Sequence, residues 1–189
     1  MSAPRIAPLE PPYDPKIAET LAKWMPPGST IEPLKLFRTL ERSPEISSRL
    51  RALGSGILGP RSLIAPRDRE ILIHRTAAMC GCEYEWGVHA AAYGKAVGLT
   101  PDAVRATATG AAGDPVWTGR DALLVRLADE LHQTAHVSDQ LWTALSAYWD
   151  APQLIELLII AGAYRLIAYL ANGAQVALED WAVRFPESI

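Results

Sequence analysis

An all-α fold is predicted by two features of this 189-residue sequence. Apolar residues recur at helical spacing in segments bounded by proline and glycine, and no run of β-branched residues alternates with polar ones as a half-buried strand requires. The length suffices for one compact helical domain with a sizeable core, so residues 16–189 are expected to form a single domain behind an N-terminal arm.

The arm, residues 1–15, carries Pro4, Pro8, Pro11, Pro12 and Pro15 and is expected to be extended, packing across a surface or a neighbouring subunit until a helix starts near Pro15. Pro26-Pro27-Gly28 should end that helix. Leu34, Phe37 and Leu40, then Ile46, Leu50 and Leu53, imply two short helices around the break at Ser43-Pro44, with Gly54, Gly56 and Gly59-Pro60 as a loop. Pro66 suits the first position of a helix running to about Cys80. Gly81 separates it from a helix expected from Cys82 to about Val97, stopped at Gly98. Thr100-Pro101-Asp102 opens a short helix ending by Gly110, and Thr118 with Asp121 resembles a capping box for the next. Ser138 caps another, with Leu141, Leu145 and Tyr148 inward. The last helix starts near Pro152 and is apolar on nearly all faces through Leu170, which marks a central or intersubunit element. Arg69–Ile73 and Ile155–Ile159 look loosely alike, too briefly to establish a duplication.

Charge and composition narrow the function classes. Hydrophobic residues make up 49% and charged residues 21%, ordinary for a globular body. A net charge of −3, without clustered Lys and Arg, argues against a nucleic-acid partner. The N-terminus lacks the apolar core of a secretory signal, and the most apolar stretch, Leu154–Leu178, is broken by Glu156, Arg165, Asn172 and Gln175. A cytoplasmic protein with no membrane partner is therefore expected. Two cysteines, Cys80 and Cys82, cannot supply a disulfide framework.

The chemically informative stretch runs from Arg67 to His89. At 3.6 residues per turn, Cys82, Glu85 and His89 fall within about one-sixth of a helix circumference, so a thiol, a carboxylate and an imidazole share one face. Glu70 lies on the preceding helix, and a one-residue connector at Gly81 would fold the two helices together and bring this carboxylate towards His89. Cys82, at a helix N-terminus, is expected to have a lowered thiol pKa. His74 stands one turn after Glu70, where a surface salt bridge is the expected use. Trp86, Tyr84 and Tyr93 are expected in the core or an interface. His132 and His136 have the i,i+4 spacing of metal ligands, but no carboxylate-rich motif accompanies them and no metal is expected.

The pattern Glu70, eleven residues, Cys82-x-x-Glu85-x-x-x-His89 resembles the motif of the carboxymuconolactone decarboxylase / alkyl hydroperoxidase D superfamily, whose redox branch has Cys-x-x-Cys-x-x-x-His after the same interval. The likeness continues through Ala90–Tyr93 to Gly98-Leu99-Thr100 and covers about 40 residues. What it implies is an alkyl hydroperoxidase D-like helical domain, assembled as homotrimers or homohexamers. Glu85 stands where the redox branch has its resolving thiol, so the usual disulfide cycle cannot close. The decarboxylase branch, which keeps Glu-x-x-x-His and does not require the thiols, is the closer match.

That branch implies a cofactor-free lyase acting on a small carboxylated lactone or related aromatic-degradation product. His89 would be the general acid, with Glu85 and Glu70 orienting it and raising its pKa, and Cys82 a second donor or bystander. Arg67, Arg69 or Arg75 would hold a substrate carboxylate. Two alternatives belong to other classes: a thiol peroxidase or disulfide reductase using Cys82 with Cys80, and a non-catalytic oligomeric protein that keeps the fold.

Overall fold

The computed structural model describes residues 3–26 and 28–187, and among these the secondary structure is helical, with no strand. The helices are α1 Pro15–Ala22, α2 Lys35–Leu40, α3 Pro44–Leu58, α4 Pro66–Met79, α5 Glu83–His89, α6 Pro101–Thr109, α7 Gly119–Thr134, α8 Asp139–Ser146 and α9 Ala151–Ala174, with a π-helical segment, Ala90–Gly94, following α5.

Proline at the first turn starts α1, α3, α4, α6 and α9, where its missing N–H costs nothing. Side-chain caps appear where expected: Thr100 Oγ1 accepts from Ala103 N, Thr118 from Asp121 N, and Ser138 from Leu141 N. The Thr118 cap is half of the expected box, because the Asp121 carboxylate turns away to Arg67. The reciprocal box is at α9, between Asp150 and Gln153.

Three boundaries differ from expectation. α3 runs through Gly54 and Gly56 to Leu58, so the loop begins only at Gly59. Tertiary packing of Ile57 and Leu58 on the core outweighs the roughly 1 kcal/mol per glycine that helix propensity charges. α1 ends at Ala22, ahead of the prolines, of which Pro27 lies outside the described residues, as do Met1 and Ser2 of the arm. The helix expected to run to Val97 leaves α geometry after His89, although Gly98, at φ +75°, does occupy the left-handed stop.

α4 is the axis of the molecule. It is buried from Asp68 to Ala77 and packs on α5, α6, α7 and α9. The main core gathers Ile71, Leu72 and Ile73 of α4 with Leu124 and Leu127 of α7 and Leu157 and Ile160 of α9. At about 25 cal/mol per Å² of apolar surface, each such side chain contributes some 1.5–3 kcal/mol of burial. By length and composition α9 would cross a bilayer, yet it sets Leu157, Ile160, Tyr164 and Ala168 in the core and leaves Ile155, Ile159, Leu166 and Tyr169 exposed.

The N-terminal arm lies against its own chain: Arg5 N donates to Ala174 O and Leu9 N to Arg38 O, while Arg38 pairs with Glu10. At the other end, Val183 N donates to Gly87 O of α5. A Cβ on Gly87 would stand 2.1 Å from Val183 O, so only glycine lets the C-terminal segment cross α5 this closely.

Candidate active site

A Schellman turn sets the α4–α5 corner. Gly81, at φ +61°, donates to Ala78 O at 2.9 Å, and Cys82 N donates to Ala77 O at 2.9 Å, which satisfies the last carbonyls of α4 and reverses the chain within three residues. α5 is then held from both sides, since Tyr84 Oη donates to Glu179 Oε1 at 2.6 Å and accepts from Leu36 N, and Trp86 Nε1 donates to Thr107 Oγ1 at 2.9 Å.

This corner brings Glu70 to His89. His89 Nδ1 lies 2.8 Å from Glu70 Oε2, and Nε2 of the same ring lies 3.3 Å from Glu85 Oε1. Glu70 is wholly buried, His89 is 4% exposed and Glu85 7% exposed. One imidazole is therefore bracketed by two carboxylates below the surface. Burial alone would push the His89 pKa down, but attraction to Glu70 and the hydrogen bonds to Glu70 and Glu85 outweigh it and raise it to about 10. Burial likewise favours the neutral form of Glu70, yet the combined pull of His89, His74 and Arg69 holds its pKa below the ordinary carboxylate value. The pair is ionic at neutral pH.

His74 is not the surface residue expected of it. It is completely buried, with Nδ1 2.5 Å from Glu70 O and 3.8 Å from Glu70 Oε2, and its pKa falls to about 4, first through burial and then through repulsion by charged His89. The helical period places it correctly one turn from Glu70. What the period does not show is that both sides of α4 are covered.

Cys82 departs further from expectation. It occupies the N-cap of α5, where hydrogen bonding from the Glu85 and Tyr84 amides favours thiolate, but complete burial dominates and the nearby Glu85 charge acts in the same direction. The thiol is pushed up to about 12 rather than lowered, so it is neutral at physiological pH. Cys80, partly buried, is also a free thiol with a raised pKa, chiefly through burial.

Of the arginines, Arg67 is taken by Asp121 and Gly98 O, and Arg75 by Asp129, Thr107 O and Gly110 O. Only Arg69 abuts the site, its Nε 3.7 Å from Glu70 Oε1, and neither of these two buried atoms has a hydrogen-bond partner among the described residues.

Two tyrosines complete the surroundings. Tyr164 of α9 meets the His89 ring edge-on at 5.1 Å, and Tyr93 lies 5.1 Å away on the other side. Tyr93, 38% exposed, connects the cluster to the surface, and the π-helical segment that carries it is a distortion common at functional sites. Tyr164 was not foreseen, because nothing in an apolar helix distinguishes a pocket tyrosine from a core one. A cavity of about 880 Å³ lies instead beside Trp86, Ala90 and Arg105 under the C-terminal segment, and none of Glu70, Cys82, Glu85 and His89 lines it.

Residues 44–124, which contain all four, match the Carboxymuconolactone decarboxylase family. The fold extends the likeness to the rest of the chain. An uncharacterized peroxidase-related protein from Silicibacter sp. TM1040 superposes with a TM-score of 0.77 at 14% identity, over 98% of this chain and 100% of that one. A cysteine-to-alanine variant of the debrominase Bmp8 in complex with 2,3,4-tribromopyrrole gives 0.76 at 13% identity, over 93% and 92% of the two chains. A protein of unknown function from Agrobacterium tumefaciens, provisionally assigned to antioxidant defence as AhpD, gives 0.67 at 18% identity, over 74% and 94%. The family match spans 81 of the 189 residues, and the whole chain has an AhpD-like fold. No curated protein matches it by sequence. The buried Glu70–His89–Glu85 cluster lies within the matched residues.

Proposed function

We propose that this chain is a cofactor-free lyase that decarboxylates a carboxylated lactone or a related aromatic-degradation product by general acid catalysis. The observation that carries the reading is the imidazolium of His89 held between Glu70 and Glu85. In a carboxymuconolactone the bond to the carboxylate breaks, carbon dioxide leaves, and the electron pair passes into the conjugated carbonyl of the ring. The resulting dienolate needs one proton on carbon. His89 Nε2 delivers it, since the 3.3 Å contact with Glu85 is the looser of its two, and solvent later restores the proton. Glu70 fixes the ring through Nδ1, and the Glu85 carboxylate lies 3.3 Å from the donating Nε2. Substrate enters past Tyr93, the exposed member of the cluster.

The neutral state of Cys82 supports an accessory role for that thiol. The exposed apolar row Ile155, Ile159, Leu166 and Tyr169 on α9 supports self-association, which we assign to homotrimers or homohexamers.

The test is carbon dioxide release from a carboxymuconolactone in deuterium oxide, with one deuterium expected on product carbon. His89→Gln should lower kcat by about 10²–10⁴-fold, and Cys82→Ala by only a few-fold. A thiol peroxidase or reductase using Cys82 with Cys80 is the second reading. It is favoured by the debrominase neighbour, whose ligand complex carries a cysteine replacement. Peroxide consumption that needs both thiols, with Cys82→Ala inactive and His89→Gln active, would replace the lyase reading.

A further inference from the structure

A second pocket, mostly apolar, lies between α4, α7 and α9, away from the His89 cluster. Its volume is about 240 Å³, and its walls combine apolar Leu131, Leu158 and Ala161 with Thr76, His132 and Arg165. Thr76 follows Glu70 by six residues, which places it about 9 Å further along α4 and roughly 120° round it.

Three features of the wall point to a ligand. Thr76 is 6% exposed, and its Oγ1 is buried with no hydrogen-bond partner among the described residues, not even a carbonyl of the preceding turn. A buried hydroxyl without a partner costs roughly 1–3 kcal/mol, so its retention on a cavity wall needs a reason. Arg165 spends Nη1 on Leu131 O and His132 O and Nε on Tyr169 Oη, which leaves Nη2 uncommitted among the described residues. His132 has Nδ1 3.8 Å from Cys80 Sγ, so Nε2 carries the ring's remaining polar capacity.

The charge around the pocket is one-sided. No carboxylate lines it, and the acid nearest to His132, Asp129 on its own helix, is held by Arg75 of α4. The donors are thus a guanidinium, an imidazole and a hydroxyl, set over an apolar floor. We propose that this cavity binds a small organic anion with an apolar body, a monocarboxylate of about the size of benzoate. Arg165 and His132 face its carboxylate, and the Thr76 hydroxyl donates to it. The site is independent of the chemistry at His89, since it shares none of its residues.

The test is titration of the full chain with sodium benzoate, followed by amide chemical shifts and calorimetry. Binding at about 1 mM is expected for a ligand of this size, with the largest shifts at Thr76, Ala135 and Gly162. Benzyl alcohol, which has the same shape without charge, should bind at least tenfold more weakly. Arg165→Met should weaken benzoate at least tenfold, but Arg165 also ties down the end of α7. Thr76→Val is therefore the cleaner variant: it removes a hydroxyl that bonds nothing in the fold, so Tm should hold while benzoate weakens several-fold. Absence of binding at 20-fold higher benzoate, shifts centred on Gly87 and His89, equal affinity for benzyl alcohol, or unchanged affinity in Thr76→Val would each overturn the assignment.

Discussion

Two histidines share one carboxylate in this molecule, and at neutral pH one is charged and the other neutral. His89, on α5, presents Nδ1 to Glu70 Oε2 at 2.8 Å, and its pKa rises to about 10. His74, on the same helix as Glu70, spends Nδ1 on the Glu70 backbone carbonyl, lies 3.8 Å from Oε2, and its pKa falls to about 4. Both rings are buried, so burial does not separate them. The difference is which oxygen of Glu70 each ring engages. Once one imidazolium has taken the carboxylate, its charge adds to the cost of a second. A single buried acid thus sorts two chemically identical groups into a charged one suited to proton delivery and a neutral one suited to packing.

Removing the carboxylate should break the contrast altogether. In Glu70→Gln, His89 loses its principal stabilising charge and should titrate below about 7 by NMR, while turnover of the lyase substrate drops about 10²–10⁴-fold. Leaving a buried charge without its partner costs about 3–5 kcal/mol, so the urea midpoint should fall clearly as well. His89 still near 10 in this variant would show that Glu85 alone holds the proton.

Removing the other partner should move the remaining histidine. With His89→Gln the repulsion that depresses His74 disappears while Glu70 stays, and the His74 pKa should climb from about 4 towards its ordinary value. An unmoved His74 would mean that burial alone sets its state.

The same contrast predicts the pH profile of stability. A folded pKa raised to about 10, as for His89, contributes stability that is complete below the unfolded value near 6.5 and is lost as pH rises towards 10. A folded pKa depressed to about 4, as for buried neutral His74, acts on the acid side: its contribution is complete above about 6.5 and is lost as pH falls towards 4. The lowered pKa of Glu70 removes further stability as pH falls below the carboxylate range. Thermal unfolding should therefore show greatest stability near pH 6–7, with an alkaline decline that His89→Gln flattens. A profile level from pH 6.5 to 10 in the unaltered protein would contradict the raised value.

Most of this arrangement was legible in the residue pattern. Helical periodicity put Cys82, Glu85 and His89 on one face, and a lone glycine between two helices implied the corner that carries Glu70 to them. Proline starts and Ser/Thr caps located α4, α6 and α8 because those signals are local. Signals that depend on tertiary packing were not legible. Gly54 and Gly56 stay helical because neighbouring Ile57 and Leu58 are held by the core. Cys82 sits at a helix N-terminus, which favours thiolate, but its enclosure outweighs the amides and pushes the thiol up to about 12. Tyr164 reaches His89 from a helix about 75 residues later in the chain, and no spacing rule spans that interval.

The smallest effect is expected at His74 itself. Its Nε2 is buried with no hydrogen-bond partner among the described residues, so the ring already bears a polar atom that the fold does not satisfy. Replacing it with leucine removes that liability together with the Nδ1 contact to the Glu70 carbonyl, and the two terms oppose each other. His74→Leu should therefore change stability by less than about 1.5 kcal/mol, leave His89 titrating near 10, and alter kcat by only a few-fold. A large fall in kcat with an unshifted His89 would instead place His74 in the path of the proton, and the division between a working and a packing histidine would have to be abandoned.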